Sequence, residues 1–187
     1  MIEGEERQGV LVGLDLLGKL TQVENNEEAL ARVPDRLLSR LVELLWLPMA
    51  GCDILASKDG ALEEVRADWL QQNCRVVPLA QGGSDIEVRD SSLELMSFLA
   101  GLSDRLRSRL GASPDCIPSL ARIAVSLGGR GDSQARRISS HILAELATVE
   151  SNHMPIRVLY PQLLIAASKD AHTADLLFNH LRGVFPD

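Results

Sequence analysis

The sequence predicts an all-α protein built from helical repeats. Leucines recur at spacings of three and four residues along most of the 187-residue chain, which is the spacing that lines one face of a helix. Aromatic residues make up only 3% of the chain and β-branched runs are few, which disfavours sheets. One apolar pattern also recurs along the chain, which indicates that a helical unit is repeated.

The recurring pattern is clearest at Leu93, Leu95, Met96, Leu99 and Leu102. Its equivalents, 79 residues earlier and 47 residues later, are Leu14, Leu16, Leu17, Leu20 and Val23, and then Ile142, Leu143, Leu146 and Val149. A truncated fourth copy begins at Asp175. The interval of 47 residues matches the length of armadillo and HEAT units, which predicts an armadillo/HEAT-like solenoid of about three to four repeats. A helical bundle is the alternative fold.

The chain reads as a single domain over 1–187 with an insert at about 49–83. In the first half we expect a helix over 9–22, a short segment from Glu27, a leucine-rich helix from Pro34 to Pro48, a helix over 61–72 within the insert, and a helix near 93–102 that Ser84 or Asp85 caps. In the second half we expect helices at 106–110 and 118–127, one near Gln134 capped by Asp132 or Ser133, a segment opened by Pro155, and a last helix over 171–182. This last helix either caps the solenoid or marks a cut in the chain.

The charge balance argues against nucleic acid as a direct partner. The formal net charge is −7, so overall attraction to phosphate is not expected. Local basic stripes are possible at Arg105, Arg107 and Arg109 and at Arg136 and Arg137. No aromatic side chains are interleaved with them, so we interpret both stripes as solvated helix faces.

Cysteine usage and hydropathy indicate the compartment. Cys52, Cys74 and Cys116 are odd in number and form no CxxC pair, which favours a reducing compartment. No apolar run is long enough to span a membrane, and the acidic N-terminus lacks a secretory core. We expect a nuclear protein, with the cytoplasm as the alternative. Because no basic import cluster is visible, entry to the nucleus would need a partner or further chain.

The sequence offers no reaction centre, so we predict a protein that is not an enzyme and needs no cofactor or metal. Gly128 to Asp132 resembles a phosphate loop only loosely, because the lysine and Ser/Thr of a Walker motif are missing. The histidines show no ligand spacing and are interpreted as surface or capping residues: His141, His153, His172 and His180. No cysteine has an obvious neighbouring base.

Two tryptophans are the candidate partner-binding residues. Trp46 extends the leucine-rich helix after Pro34, and Trp69 lies on the predicted helix of the insert. Tryptophan is enriched at binding hot spots, although packing in the core is the competing interpretation. A long insertion in a solenoid often carries the binding surface, and a variable loop without a role is the alternative.

Three segments resemble one family: VLVGLDLLGKLTQVENNEEALARVPDRLLSRLVELL, EVRDSSLELMSFLAGLSDRLRSRL and ARRISSHILAELATVESNHMPIRVL. They are similar to the armadillo-like C-terminal domain of the large AT-rich-interaction-domain subunits of SWI/SNF chromatin remodelers, and to the plant leaf-and-flower-related armadillo protein. In that family a leucine-rich helix is followed by a polar stretch with asparagine. Here Asn25, Asn26 and Asn152 occupy such places.

This resemblance spans about 10–181 without the insert and implies a non-catalytic scaffold that holds the protein subunits of a remodeling complex together. It implies no direct DNA binding, because the chain contains no AT-rich-interaction domain. The family domain is longer, which suggests a fragment or a trimmed version. The alternative is a cytosolic armadillo adaptor that binds a peptide or helix of another protein. Its asparagine ladder is not found on the helices over 37–46, 118–127 or 155–167.

Overall fold

The computed structural model describes residues 4–23, 26–30, 32–45, 85–125 and 132–185, and their regular structure is entirely helical. No strand occurs in these ranges, and the prediction of an all-α protein is confirmed. The insert at 49–83 with its predicted helix lies outside the described residues, as do Trp46 and Trp69.

The described helices follow one another in three sets, each with a long helix, a short helix and a third helix. The first set is α1 (Gly4–Thr21), α2 (Glu27–Leu30) and α3 (Asp35–Leu44). The second is α4 (Asp85–Leu102), α5 (Asp104–Ala112) and α6 (Cys116–Ala124). The third is α7 (Asp132–Ala147), a 3₁₀ turn (Glu150–Asn152) with α8 (His153–Val158), and α9 (Tyr160–Ala167). A final α10 (Ala171–Asp175) runs into a π turn (Leu176–His180) and a 3₁₀ turn (Arg182–Val184).

The apolar core is shared by these sets, and α4 and α7 are central to it. α7 packs against α4 and α6, while α1 packs against α4. Met96 and Leu99 of α4 are buried, and so are their equivalents Leu143 and Leu146 of α7. The predicted helical stripes of the second and third copies therefore line the core.

The third helices of the first two sets bury corresponding positions, a relationship that the analysis of the long helices did not reveal. The offset is again 79 residues: Leu38, Leu41 and Leu44 of α3 correspond to Ile117, Leu120 and Ile123 of α6, and all six are buried. The same offset therefore relates both the long and the third helices across the insert.

The first copy of the pattern is used differently from the other two. Leu14 is buried, with Leu17 partly buried beside it. Leu16 and Leu20, however, are about half exposed, whereas their equivalents in α4 and α7 are buried. The recurring pattern therefore does not cover the same side in α1, because no described helix packs over that side of it.

Several predicted boundaries also need correction. The helix expected over 171–182 ends as an α-helix at Asp175, and the N–H of Leu181 then donates to the carbonyl of Leu176 at 3.0 Å in an i→i+5 bond. Asp85 and Asp132 begin α4 and α7 as helical residues, rather than preceding them as caps. Ser103 provides a cap that was not predicted, since its Oγ accepts from the Leu106 N–H at 3.4 Å.

Candidate protein-interaction surfaces

Two of the three arginines of α5, Arg107 and Arg109, join helices together. The Nε of Arg107 donates to the carbonyl of Ala100 at 2.8 Å, and its Nη2 lies 2.9 Å from the Glu145 carboxylate. The Nε of Arg109 donates to Asp35 at 2.9 Å. The interpretation of these two residues as part of a solvated face is wrong, and only Arg105 of the three is exposed. Their charges are used within the fold.

Arg136 makes a second inter-helix contact, with the carboxylate of Asp170. That carboxylate also caps α10, accepting from the N–H and hydroxyl of Thr173 at 2.9 and 2.7 Å. Burial alone would raise the pKa of Asp170, but the Thr173 hydrogen bonds and the Arg136 charge together lower it below its ordinary value of 3.8. Arg137 is exposed, as in a solvated face, whereas Arg136 is partly buried against Asp170, so the interpretation of both residues as a solvated face is wrong for Arg136.

The turns that follow α1 and α7 share one hydrogen-bond arrangement. The Nδ2 of Asn26 donates to the carbonyl of Leu20 at 2.9 Å, and that of Asn152 donates to the carbonyl of Leu146 at 2.9 Å. In both turns the asparagine N–H bonds to the carbonyl of the valine three residues earlier. Both turns have the sequence L-x-x-V-E-x-N. The side-chain amide thus satisfies a carbonyl near the helix C-terminus, which the helix itself leaves unpaired.

The two asparagines differ in what surrounds them. Asn152 is 2% exposed, and its Nδ2 also donates to the carbonyl of Arg107 in α5 at 3.2 Å. A Cβ added to Gly111 would lie within 2.8 Å of all three terminal atoms of the Asn152 amide. Asn26 has no such neighbour within the described ranges and is only partly buried. α5 therefore packs against the turn after α7, whereas no described helix packs over the corresponding open side of α1.

The open side of α1 presents an exposed apolar stripe, which we call the N-terminal stripe. Its members are Val12, Leu16, Leu20 and Val23, with 48–55% of each residue exposed. Val12, Leu16 and Leu20 lie on one side of α1 at spacings of four residues, and Val23 follows in the turn after the helix ends at Thr21. The core-facing residues of α1, including Leu14, lie on the other side. Exposed apolar residues that line up in this way indicate a contact surface more than scattered ones do.

A groove of about 480 Å³ lies between the α5–α6 turn and α8, and we call it the α8 groove. Pro114, Pro118 and Pro155 form much of its wall, and Met154 and Val158 line it while remaining 64% and 48% exposed. The turn at its edge is shaped by a non-glycine residue in the left-handed region, Asp115, with φ of 60°. Such a wall suits an apolar segment of another protein.

The histidines and the described cysteine fit structural roles. His153 Nε2 lies 2.9 Å from the carbonyl of Ala147 at the end of α7, as expected for a capping histidine. His172 Nε2 lies 2.8 Å from Ser140 Oγ. Burial raises the pKa of Cys116 to about 12, which disfavours the thiolate.

Neither a metal site nor a membrane-spanning helix occurs among the same described residues. No group of three or more His, Cys, Asp or Glu side chains there could hold a metal. Likewise, none of the described helices combines the length and apolar character needed to cross a bilayer. The absence of a catalytic function, a cofactor and a metal stays a prediction.

The sequence analysis predicted neither the N-terminal stripe nor the α8 groove as a surface. It named instead two residues that the structure does not describe. Trp46 and Trp69 lie outside the described ranges, so their role as contacts stays a prediction. Met154 and Val158 carry no signal of their own, because exposed and buried aliphatic residues alternate throughout α8 and α9. Comparisons of the chain with protein-family models, with curated proteins and with solved structures return no match.

Proposed function

We propose that the protein is a non-catalytic interaction scaffold with an armadillo/HEAT-like repeat architecture, and that it serves as a structural core subunit of a SWI/SNF-type chromatin-remodeling complex in the nucleus. Other protein subunits of that complex are its partners, with no direct contact to nucleic acid or membrane. The insert at about 49–83, with Trp69, and Trp46 just before it belong to its proposed contact surface. The chain is proposed to act as one domain over 1–187.

The observation that carries the repeat architecture is the shared arrangement of the Asn26 and Asn152 turns. Two turns with the same hydrogen bonds follow the long helices of the first and third sets. The offset of 79 residues between buried positions of α3 and α6 supports the same architecture. In a repeat protein each unit contacts mainly its neighbours, and the stacked units present extended surfaces to partners. The resemblance to the remodeler subunit supplies the identity of the complex.

The α8 groove supports a role in binding other proteins. Its proline-lined wall and the exposed Met154 and Val158 form a concave surface of mixed character, more apolar than polar, that a partly apolar segment of another subunit would cover. Arg107 and Arg109 of α5 are engaged with carboxylates and carbonyls, so their charges are used within the fold.

The experiment is affinity purification of the tagged full chain from its own cells, read by mass spectrometry. We expect the remodeler ATPase and core subunits in near-equal amounts. The double variant Met154→Asp/Val158→Asp should reduce their recovery, while Ser168→Asp, an exposed change at the residue that follows α9, should not. Recovery of no remodeler subunit with the wild-type chain would reject the assignment to this complex.

The second candidate is a cytosolic armadillo adaptor that binds a peptide or helix of another protein. The size and apolar wall of the α8 groove favour it, since a pocket of this kind can hold a few residues of a partner. The same purification separates the two candidates. A cytosolic protein recovered in place of remodeler subunits, and lost from the Met154→Asp/Val158→Asp variant, would favour the adaptor.

A further inference from the structure

We propose that the last described turn of the chain holds α8 in place as a wall of the α8 groove, and that partner binding in the groove depends on it. This turn is the 3₁₀ turn (Arg182–Val184) with the following Phe185, and we call it the C-terminal strap. The residues that line the groove belong to other segments, so the strap acts on the groove through α8. The dependence of partner binding on the strap rests on the proposed function.

The strap contacts α8 and the first residue of α9 at two points. The Nε of Arg157 donates to the carbonyl of Val184 at 2.5 Å. The ring of Tyr160 lies against the ring of Phe185, with 4.5 Å between their centroids. Val184 is 2% exposed and belongs to the apolar core. The strap therefore connects the core to the C-terminal end of α8.

These two contacts flank two residues that line the groove. Val158 and Leu159 lie between Arg157 and Tyr160 in the chain, and both line the groove. Because successive residues are joined at a fixed distance, neither contact can shift without displacing the two residues between them. The position of this wall therefore depends on the strap.

α8 is too short to hold its own position. It has six residues, fewer than two helical turns, and a helix of this length is not stable in isolation. Its N-terminal end is held by His153, whose Nε2 lies 2.9 Å from the carbonyl of Ala147, and by the hydrogen bonds of Asn152 to α5 and α7. Its C-terminal end is held by the hydrogen bond and the ring contact of the strap.

Hydrogen exchange of the full chain, read by mass spectrometry, tests the effect on α8. The N–H of Leu159 donates to the carbonyl of Ile156 at 3.0 Å, so peptides that cover 156–160 report on this end of the helix. Phe185→Ala should accelerate exchange there by about fivefold or more, while peptides from α4 and α7 exchange as in the wild type. Phe185→Tyr keeps the ring contact and should exchange like the wild type.

The matched control is Phe178→Ala in the π turn, at a residue that is 53% exposed. This variant loses the same atoms and should leave exchange over 156–160 unchanged. Unchanged exchange in Phe185→Ala would overturn the proposal, because the strap then does not hold α8. Equal acceleration in α4, α7 and α8 would also overturn it, because the strap would then support the whole fold.

Affinity purification of the full chain tests the effect on the groove. Phe185→Ala should lower, by at least about threefold, the recovery of those proteins that the Met154→Asp/Val158→Asp variant loses, and Phe178→Ala should not. Undiminished recovery despite faster exchange over 156–160 would show that the groove does not depend on the strap. If no recovered protein depends on Met154 and Val158, the groove's part in the proposed function fails, and the exchange over 156–160 alone decides whether the strap holds α8.

Discussion

The side-chain amide of Asn152 lies against the Cα of Gly111 so closely that α5 has no space for a side chain there. This contact joins the turn after α7 to α5, and the Asn152 Nδ2 hydrogen bond to the Arg107 carbonyl reinforces it. Glycine at position 111 is therefore required by close approach of a neighbour rather than by an unusual backbone conformation.

Replacement of Gly111 by alanine should destabilise the fold. We expect a loss of about 1–3 kcal/mol in the free energy of unfolding, because the added methyl forces the Asn152 amide away from its carbonyl partners. Denaturant unfolding followed by circular dichroism measures it. In an Asn152→Ala background the same change should cost little, since the obstructing amide is gone.

The matched control is Gly101→Ala in α4, where an added Cβ has no atom within 4 Å. This change should be neutral or stabilise the protein by up to about 1 kcal/mol through helix propensity. Equal destabilisation by both substitutions would show that Gly111 is not constrained by Asn152.

Removal of the two turn asparagines should have unequal effects. Asn152→Ala leaves the carbonyls of Leu146 and Arg107 without this donor in a buried place, and should cost about 1–3 kcal/mol. Asn26→Ala breaks a corresponding bond that water can replace, and should cost less than about 1 kcal/mol. Chemical denaturation of both variants provides the comparison, and a larger loss for Asn26→Ala would contradict it.

Acidification should weaken the contact between α7 and α10. The folded-state pKa of Asp170 is below its ordinary value of 3.8, so its ionised form stabilises the fold above that value. This contribution disappears as the pH falls below about 3.8 and through the folded-state pKa.

Asp170→Ala should therefore lower stability by about 1–2 kcal/mol at pH 7 and differ progressively less from the wild type below pH 3.8. Thermal unfolding from pH 7 to pH 3 of both proteins measures the difference. If the difference in stability between the two proteins stays constant across this pH range, the ionisation of Asp170 does not contribute to the stability of the fold.

The thiol of Cys116 should be unreactive in the folded protein. It is buried and its pKa is raised to about 12, so very little thiolate exists at neutral pH. Labelling with iodoacetamide at pH 8, located by peptide mass spectrometry, should modify Cys116 rapidly only after denaturant is added. Equally fast labelling in native buffer would show that α6 opens readily.

The apolar periodicity was sufficient to predict α4 and α7, because Leu99 and Leu146 belong to stripes that neighbouring helices cover on the expected side. It was insufficient for α1. Leu20 occupies the equivalent place in the pattern and is 49% exposed, since the pattern records which residues share a side of a helix but not whether another helix packs there.

The arginines show a second limit of sequence reasoning. Arg107 and Arg109 are two residues apart and resemble a solvated stripe, yet their long side chains reach Glu145 and Asp35 on different helices. Such contacts depend on how the helices pack in the folded protein, and the spacing of charges along one helix carries no information about that packing. The Leu20–Asn26 and Leu146–Asn152 turns are different, because the shared L-x-x-V-E-x-N sequence was a local signal that could have predicted them.

The central claim is that one sequence pattern forms core in α4 and exposed surface in α1, and the pair Leu99→Asp and Leu20→Asp tests it most directly. Leu99 is 2% exposed and Leu20 is 49% exposed. Thermal unfolding followed by circular dichroism should show that Leu99→Asp, which buries an unpaired charge at a cost of about 4 kcal/mol or more, unfolds the whole domain. Leu20→Asp should retain the helicity and melting temperature of the wild type. A soluble, fully helical Leu99→Asp protein with wild-type melting, or a Leu20→Asp protein that unfolds, would contradict the account.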